Sequence, residues 1–278
     1  MSTPTTWYAV VVDLPAGSAL HIVADERDDV AVTVLPADPG KAADVRAAEQ
    51  VHVERDGATV TVSGPPAWRQ YVPFGTGSLS VTVEAPSGCD VRGRAGNLHA
   101  EGELGAVELH LTAGGARLDR TGRLDLRVAA GSVVVDRVVG PLSIRASAGS
   151  VRIGELVGDG TVRAGYGATT VGIVTGSMQV TGAHGDLAVG TVRGSLDAKA
   201  AMGAIRVDRV ESGALTLATS FGAIEVGVPE GTAAWLDVTS EHGTVRNQLR
   251  PGDGPTGSEA RVEVRASTGY GDVLVRRP

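Results

Sequence analysis

The sequence predicts an all-β protein: a parallel β-solenoid (β-helix) with 18-residue coils of two nine-residue halves, capped by irregular β-rich ends. Three observations carry this expectation. Gly131, Gly149, Gly167, Gly185 and Gly203 are evenly spaced, one coil apart, and Gly122, Gly140, Gly158, Gly176 and Gly194 form a second series halfway between. Most of these glycines are followed by alternating apolar residues, as at Val133 and Val135, Val151 and Ile153, or Leu187 and Val189. Aromatic residues make up only 3% of a chain that is 42% hydrophobic. Alternation with period two describes a strand with one buried face, and strands this close together leave no room for crossover helices. Each strand is therefore expected to pair with its counterpart one coil away, in a right-handed winding. One coil buries too few side chains to offset the entropy of ordering it, so stacking must supply the stability.

Taken in order, residues 1–90 read as an N-terminal β-rich cap and first coils. Strand-like runs are "WYAVVV", "ALHIVA", "VAVTVLP", "VHVERDGATVTV" and "LSVTVEAP". Asp56-Gly57 between two alternating runs predicts a β-hairpin, and "KAADVRAAEQ" predicts one short helix. "PPAWRQYVPFGTG" is expected as a loop packed over that end. Residues 91–228 form the regular solenoid. Within it the coil at Gly158 is irregular, because Gly160 takes the first apolar slot. Residues 229–278 are expected as irregular coils and a C-terminal cap, with Gly243 and Gly271 opening the last strands and "LRPGDGPTGSE" as a surface loop. The three regions are expected to form one continuous domain.

Composition narrows the function classes. The net charge of -7 argues against a nucleic-acid partner. A single cysteine, Cys89, excludes an intramolecular disulfide and a cysteine-based zinc cluster. The N-terminus has no signal-peptide pattern and no run reaches the length of a membrane span, so the expected location is cytoplasmic. The hexapeptide left-handed helix would need an apolar residue every six, and the calcium β-roll would need Gly-Gly-x-Gly-x-Asp; neither pattern is met.

Four stretches, "DPGKAADVRAAEQVHVERDGATVTVSGP", "AWRQYVPF", "EGTAAWLDVTSEHGTVRN" and "STGYGDVLVRR", together resemble the DUF4097 family of bacterial β-strand-repeat proteins, in their actinobacterial form. These proteins often carry an adhesin label. The resemblance covers essentially the whole chain and implies a β-solenoid with no established biochemical activity.

Two outward rows are the candidate partner surface. The first is cationic: Arg127, Arg145, Arg163 and Lys199, interrupted by Thr181. Stacked like charges call for an anion, or for local neutralisation by Asp125 and Asp197. The second precedes the glycines: Tyr166, His184, Met202 and, after a one-residue insertion, Phe221. It reads as a stacking spine or as an exposed apolar strip. The repeated pairs Asp136-Arg137 and Asp208-Arg209 share a slot four coils apart, roughly 19 Å at ~4.8 Å per strand, too far for one acid–base site. His99, Glu101, Glu103, Glu108 and His110 suggest a metal cluster only superficially, because the two histidines fall in different half-coils. No nucleophile elbow, P-loop or zinc-helix motif occurs.

The expected function is a non-enzymatic structural or interaction protein, a scaffold presenting flat faces to a protein partner, with no cofactor or metal. The alternatives are a self-associating scaffold and an enzyme acting on carbohydrate or another anion, which would need paired carboxylates in a groove.

Overall fold

In the computed structural model, residues 8–64, 77–249 and 260–278 are described. They are all-β with parallel strands and one short helix. Except for Gly77 and Leu249, the "PPAWRQYVPFGTG" and "LRPGDGPTGSE" loops lie outside the described residues, as does Trp7. The chain divides into two compact units, 1–139 and 140–278.

The first unit contains β1 (Ala9–Asp13), β2 (Ala19–Asp25), β3 (Ala31–Pro36), α1 (Ala42–Glu49), β4 (His52–Asp56), β5 (Thr59–Ser63), β6 (Leu79–Pro86), β7 (Asp90–Ala95), β8 (Asn97–Leu111), β9 (Ala116–Ala130) and β10 (Val133–Val139). The strands first in the chain are interior rungs. β1 is parallel to both β5 and β7, with Val10 opposite Val60 and Val91. β2 is parallel to both β6 and β8, with Ile22 opposite Val83 and Ala100. Two antiparallel strands flank these rungs: β3 on β6, and β4 on β5 through the hairpin at Asp56-Gly57. Gly57 takes φ +57, as the tight turn requires. The short helix carries the buried Asp44, whose carboxylate accepts backbone N–H groups of Asp38 (3.1 Å) and Ser78 (2.8 Å).

The second unit contains β11 (Leu142–Ala148), β12 (Val151–Val157), β13 (Gly160–Tyr166), β14 (Thr169–His184), β15 (Leu187–Met202), β16 (Ile205–Phe221), β17 (Ile224–Gly227), β18 (Thr232–His242), β19 (Val245–Asn247), β20 (Ala260–Tyr270) and β21 (Val273–Arg276). Parallel pairing steps by the period of the glycines: Ile144 faces Val162, Val162 faces Val180, and Val180 faces Ala198. The alternating apolar residues, among them Val151, Ile153, Leu156, Val171 and Val189, are buried between these ladders. The step lengthens at Val192/Arg193, where a bulge turns the register from Val192 opposite Val210 to Arg193 opposite Ser212.

Corner glycines make the stacking possible. Gly185 has φ +132, and a Cβ there would sit 2.4 Å from the Gly167 carbonyl oxygen in the adjacent rung. Its N–H donates to the carbonyl of Met202 at 2.9 Å, so the ladder runs through the corner without a break. The irregular Gly160 has a local cause. It lies opposite Leu142 and Met178, and a Cβ would meet Leu156 Cδ2 at 2.7 Å, so neighbouring side chains already fill its slot.

The end of this unit is rearranged relative to chain order. β20 pairs with β16 on one side and β18 on the other, and β21 lies likewise between β17 and β19. The last strands in sequence are inserted one rung in, leaving β18 and β19 as the terminal rung among the described residues.

A cationic and aromatic groove in the second unit

Outward side chains of the second unit build a groove from three parallel rows. Their direction follows from strand parity: in β11, Leu142, Ile144 and Ala146 are buried, so Arg145 and Ser147 face solvent. Arg145 lies opposite Arg163, Arg163 opposite Thr181, and Thr181 opposite Lys199. Two residues further along each strand the row is small: Ser147, Gly165, Ala183, Ala201 and Ser220. These five residues line a shallow, largely open depression of about 730 Å³ together with Arg145, Arg163 and Lys199. A second depression of about 550 Å³ shares Lys199 and Ser220 and is lined further by Phe221, Tyr270, Thr239 and Glu241.

Tyr166, His184, Met202 and Phe221 occupy successive rungs beside it. Tyr166 stacks on His184 with centroids 4.8 Å apart and ring planes at 11°. The row continues past Phe221 to Tyr270 at 5.0 Å and 5°, and from Tyr270 to His242 at 4.5 Å and 22°. Tyr166 is 62% exposed, and Met202, Phe221 and Tyr270 are about half exposed. Tyr270 and His242 extend this candidate row and were missed by sequence reasoning. Insertions after Gly222 hide their phase, although both stand one residue before a glycine, as Tyr166, His184, Met202 and Phe221 do.

Charges along the cationic row are unequally compensated. Lys199 Nζ donates to Asp197 at 3.2 Å, the neutralisation expected from the sequence. Arg145 and Arg163 make no ion pair among the described residues, because Ser143 and Thr161 stand where Asp197 stands beside Lys199. Arg127 belongs to the first unit, on β9 opposite His110. Asp208 pairs with Arg206 at 2.6 Å rather than with Arg209, and Arg206 also reaches Glu225 at 3.3 Å. Hydrogen bonds to Asp208 and Glu211 hold the Arg206 and Arg193 guanidinium groups above their ordinary pKa, and Arg193 in turn holds Glu211 below its own.

A model of the family described as Toastrack DUF4097 matches residues 16–276. The chain belongs to this family. The Toastrack fold is β-solenoid-like, consistent with the parallel ladders of both units. No curated protein matches the Toastrack chain significantly. Solved structures with similar chains include a "putative cell adhesion protein" from Clostridium sporogenes, at 9% identity and TM-score 0.26, covering 100% of this chain and 96% of that one. A "putative adhesin" from Bacteroides fragilis aligns at 13% identity and TM-score 0.33 over 97% and 92% of the two chains. A "putative lipid binding protein" from Parabacteroides distasonis aligns at 11% identity and TM-score 0.32 over 98% and 93%. No helix among the described residues is long and apolar enough to cross a membrane.

The two histidines of the "LHAEGELGAVELH" stretch have different neighbours in the ladder, whereas His99 and Glu101 lie together. His110 lies opposite Arg94 and Arg127, whereas His99 lies opposite His21. Glu101 accepts hydrogen bonds from His99 and His21, which hold its carboxyl below the usual carboxylate range. Glu103 pairs with Arg120 at 3.4 Å.

Proposed function

We propose that this protein is a non-enzymatic binding scaffold whose second-unit groove takes an extended acidic segment of a partner protein. The observation that carries the reading is the adjacent Arg145 and Arg163, without ion-pair partners among the described residues, beside a row of Ser147, Gly165 and Ala183. Two guanidinium groups one rung apart, about 4.8 Å by ladder spacing, repel each other and favour an anionic ligand. A row of small residues lets a polypeptide backbone approach closely. With a net charge of -7, the chain as a whole does not attract acidic ligands, so any preference must arise from this local row. Exposed ring edges and the Met202 thioether supply apolar contacts along the opposite wall. The finer description of the ladder belongs to the same reading: a right-handed winding of 18-residue coils, each made of two nine-residue halves.

Fluorescence anisotropy with a labelled Glu-rich peptide tests the proposal. Binding is expected to weaken as salt rises, and Arg145→Glu/Arg163→Glu is expected to lower affinity at least tenfold. A Lys-rich peptide should not bind. Equal affinity of the wild type and the double variant overturns the reading.

A second reading, self-association, is favoured by one observation. Among the described residues β18 pairs with β20 alone, so its other edge is open, and Trp235 on it is 54% exposed. Open edges pair readily with other chains. Light scattering across a concentration series should then show growth that Val238→Pro abolishes, and a concentration-independent monomer rules it out.

A further inference from the structure

His21 on β2 and His99 on β8 are distant in sequence and directly opposite in the parallel ladder of the first unit. Their rings lie 5.0 Å apart. Glu101 is two residues beyond His99 on the same face, and its Oε1 lies 3.3 Å from His21 Nε2 and 3.0 Å from His99 Nε2. All three donor atoms lie within 4.8 Å of one another. Ligands bound to a first-row ion at about 2.0–2.2 Å stand roughly 3 Å apart, so both nitrogen–oxygen separations already suit a common ion.

We propose that His21, His99 and Glu101 form a binding site for a divalent transition-metal ion of the zinc type. Two imidazoles and one carboxylate favour zinc, copper, nickel or iron over calcium or magnesium, which prefer all-oxygen shells. The backbone holds the donors in place. The pairing of β8 with β9 shifts between Ala100 and Glu103, and Gly102 at φ +86 makes the bulge. The Gly102 N–H donates to Asp119 Oδ2 at 3.1 Å, fixing the peptide next to Glu101. A Cβ at Gly102 would lie 2.1 Å from the Ala24 carbonyl oxygen, so this bulge also fits against the end of β2. The neighbours across the ladder are Thr82 beside His21 and Arg117 beside His99. Arg117 adds positive charge on one side, whereas the Glu101 carboxylate offsets the charge of the ion. All three donors are partly exposed, which leaves an entry path and positions for water. A bound ion would tie β2, near the start of the chain, to β8 and add stability by binding only the folded state.

The test uses the untagged full chain, titrated separately with zinc chloride and cobalt chloride. Expected are saturation at one ion per chain, a visible cobalt absorption band, a rise in melting temperature, and no competition from millimolar calcium. His21→Gln/His99→Gln should weaken cobalt binding at least tenfold. Should that variant lose its fold, paramagnetic broadening of wild-type histidine NMR signals by cobalt replaces it, with His21 and His99 expected to broaden first. Absence of saturable binding, competition by calcium, undiminished affinity in the double variant, or broadening centred on His184 or His242 each overturns the proposal.

Discussion

Tyr166 on β13 and His184 on β14, opposite each other in the parallel pairing, stack at 4.8 Å with their planes 11° from parallel. The spacing is that of neighbouring strands, so the ring contact follows directly from the ladder register. Both rings remain at the surface, and the row is at once a stacked spine and an exposed strip. A double-mutant cycle with Tyr166→Ala and His184→Ala in urea denaturation is expected to give a coupling of about 0.5–1 kcal/mol. A coupling of zero would leave the stack no structural role.

Corner glycines are expected to be irreplaceable in proportion to their crowding. Gly185→Ala meets both an unfavourable φ and a carbonyl at 2.4 Å, and should lower stability by about 3 kcal/mol or more. Gly57→Asn has positive φ but open space around it and should cost less than about 1 kcal/mol, because asparagine tolerates the left-handed region. Thermal unfolding of the two variants separates steric crowding from backbone strain. Similar losses would show that the stacked carbonyl is not the main obstacle.

Thr169 occupies an inward slot between Val151 and Leu187 and is buried, and its Oγ1 has no hydrogen-bond partner among the described residues. Its hydroxyl therefore loses hydration without compensation. Thr169→Val keeps the shape and removes that penalty, so stability should rise by about 1 kcal/mol. A loss of stability on urea denaturation would reveal an unrecognised partner for the hydroxyl.

The Cys89 thiol is pushed up to about 11 by burial and then by the neighbouring Asp90 carboxylate. Native protein should react with a thiol reagent at pH 8 far more slowly than urea-unfolded protein. The sign of the pH effect follows: the unfolded thiol loses its proton from about pH 9, the folded one only near 11, so this contribution to stability is full below pH 9 and declines as pH rises to 11. Cys89→Ala should flatten that part of the stability curve. Rapid labelling of the native protein at pH 8 would contradict the burial argument.

Legibility in the sequence tracked regularity. The buried residues from Val133 to Val210 could be read directly, because each follows a glycine at fixed distance and burial imposes alternation. The hairpin at Asp56-Gly57 and the helix around Asp44 were visible through local chemistry alone. Tyr166, His184, Met202 and Phe221 were legible as a row because a constant step with one insertion keeps its phase. Tyr270 and His242 were not, since the last rungs are stacked out of chain order. The meeting of His21 with His99 was hidden for the same reason: no periodic signal relates β2 to β8.

What the sequence by itself determined was the local period: which residues turn, which face inward, and which lie side by side in consecutive regular strands. These follow from steric limits on the glycines and from apolar burial, both short-range in sequence. Only the tertiary structure decided the order of rungs at the two ends. There β1 and β2 enter between later strands, and β20 and β21 slip inside β18 and β19. Backbone hydrogen bonds carry no sequence label, so any strand of compatible pattern can serve as the next rung. The choice among them rests on the complementarity of whole surfaces, and it placed His21 against His99 and Tyr270 against Phe221.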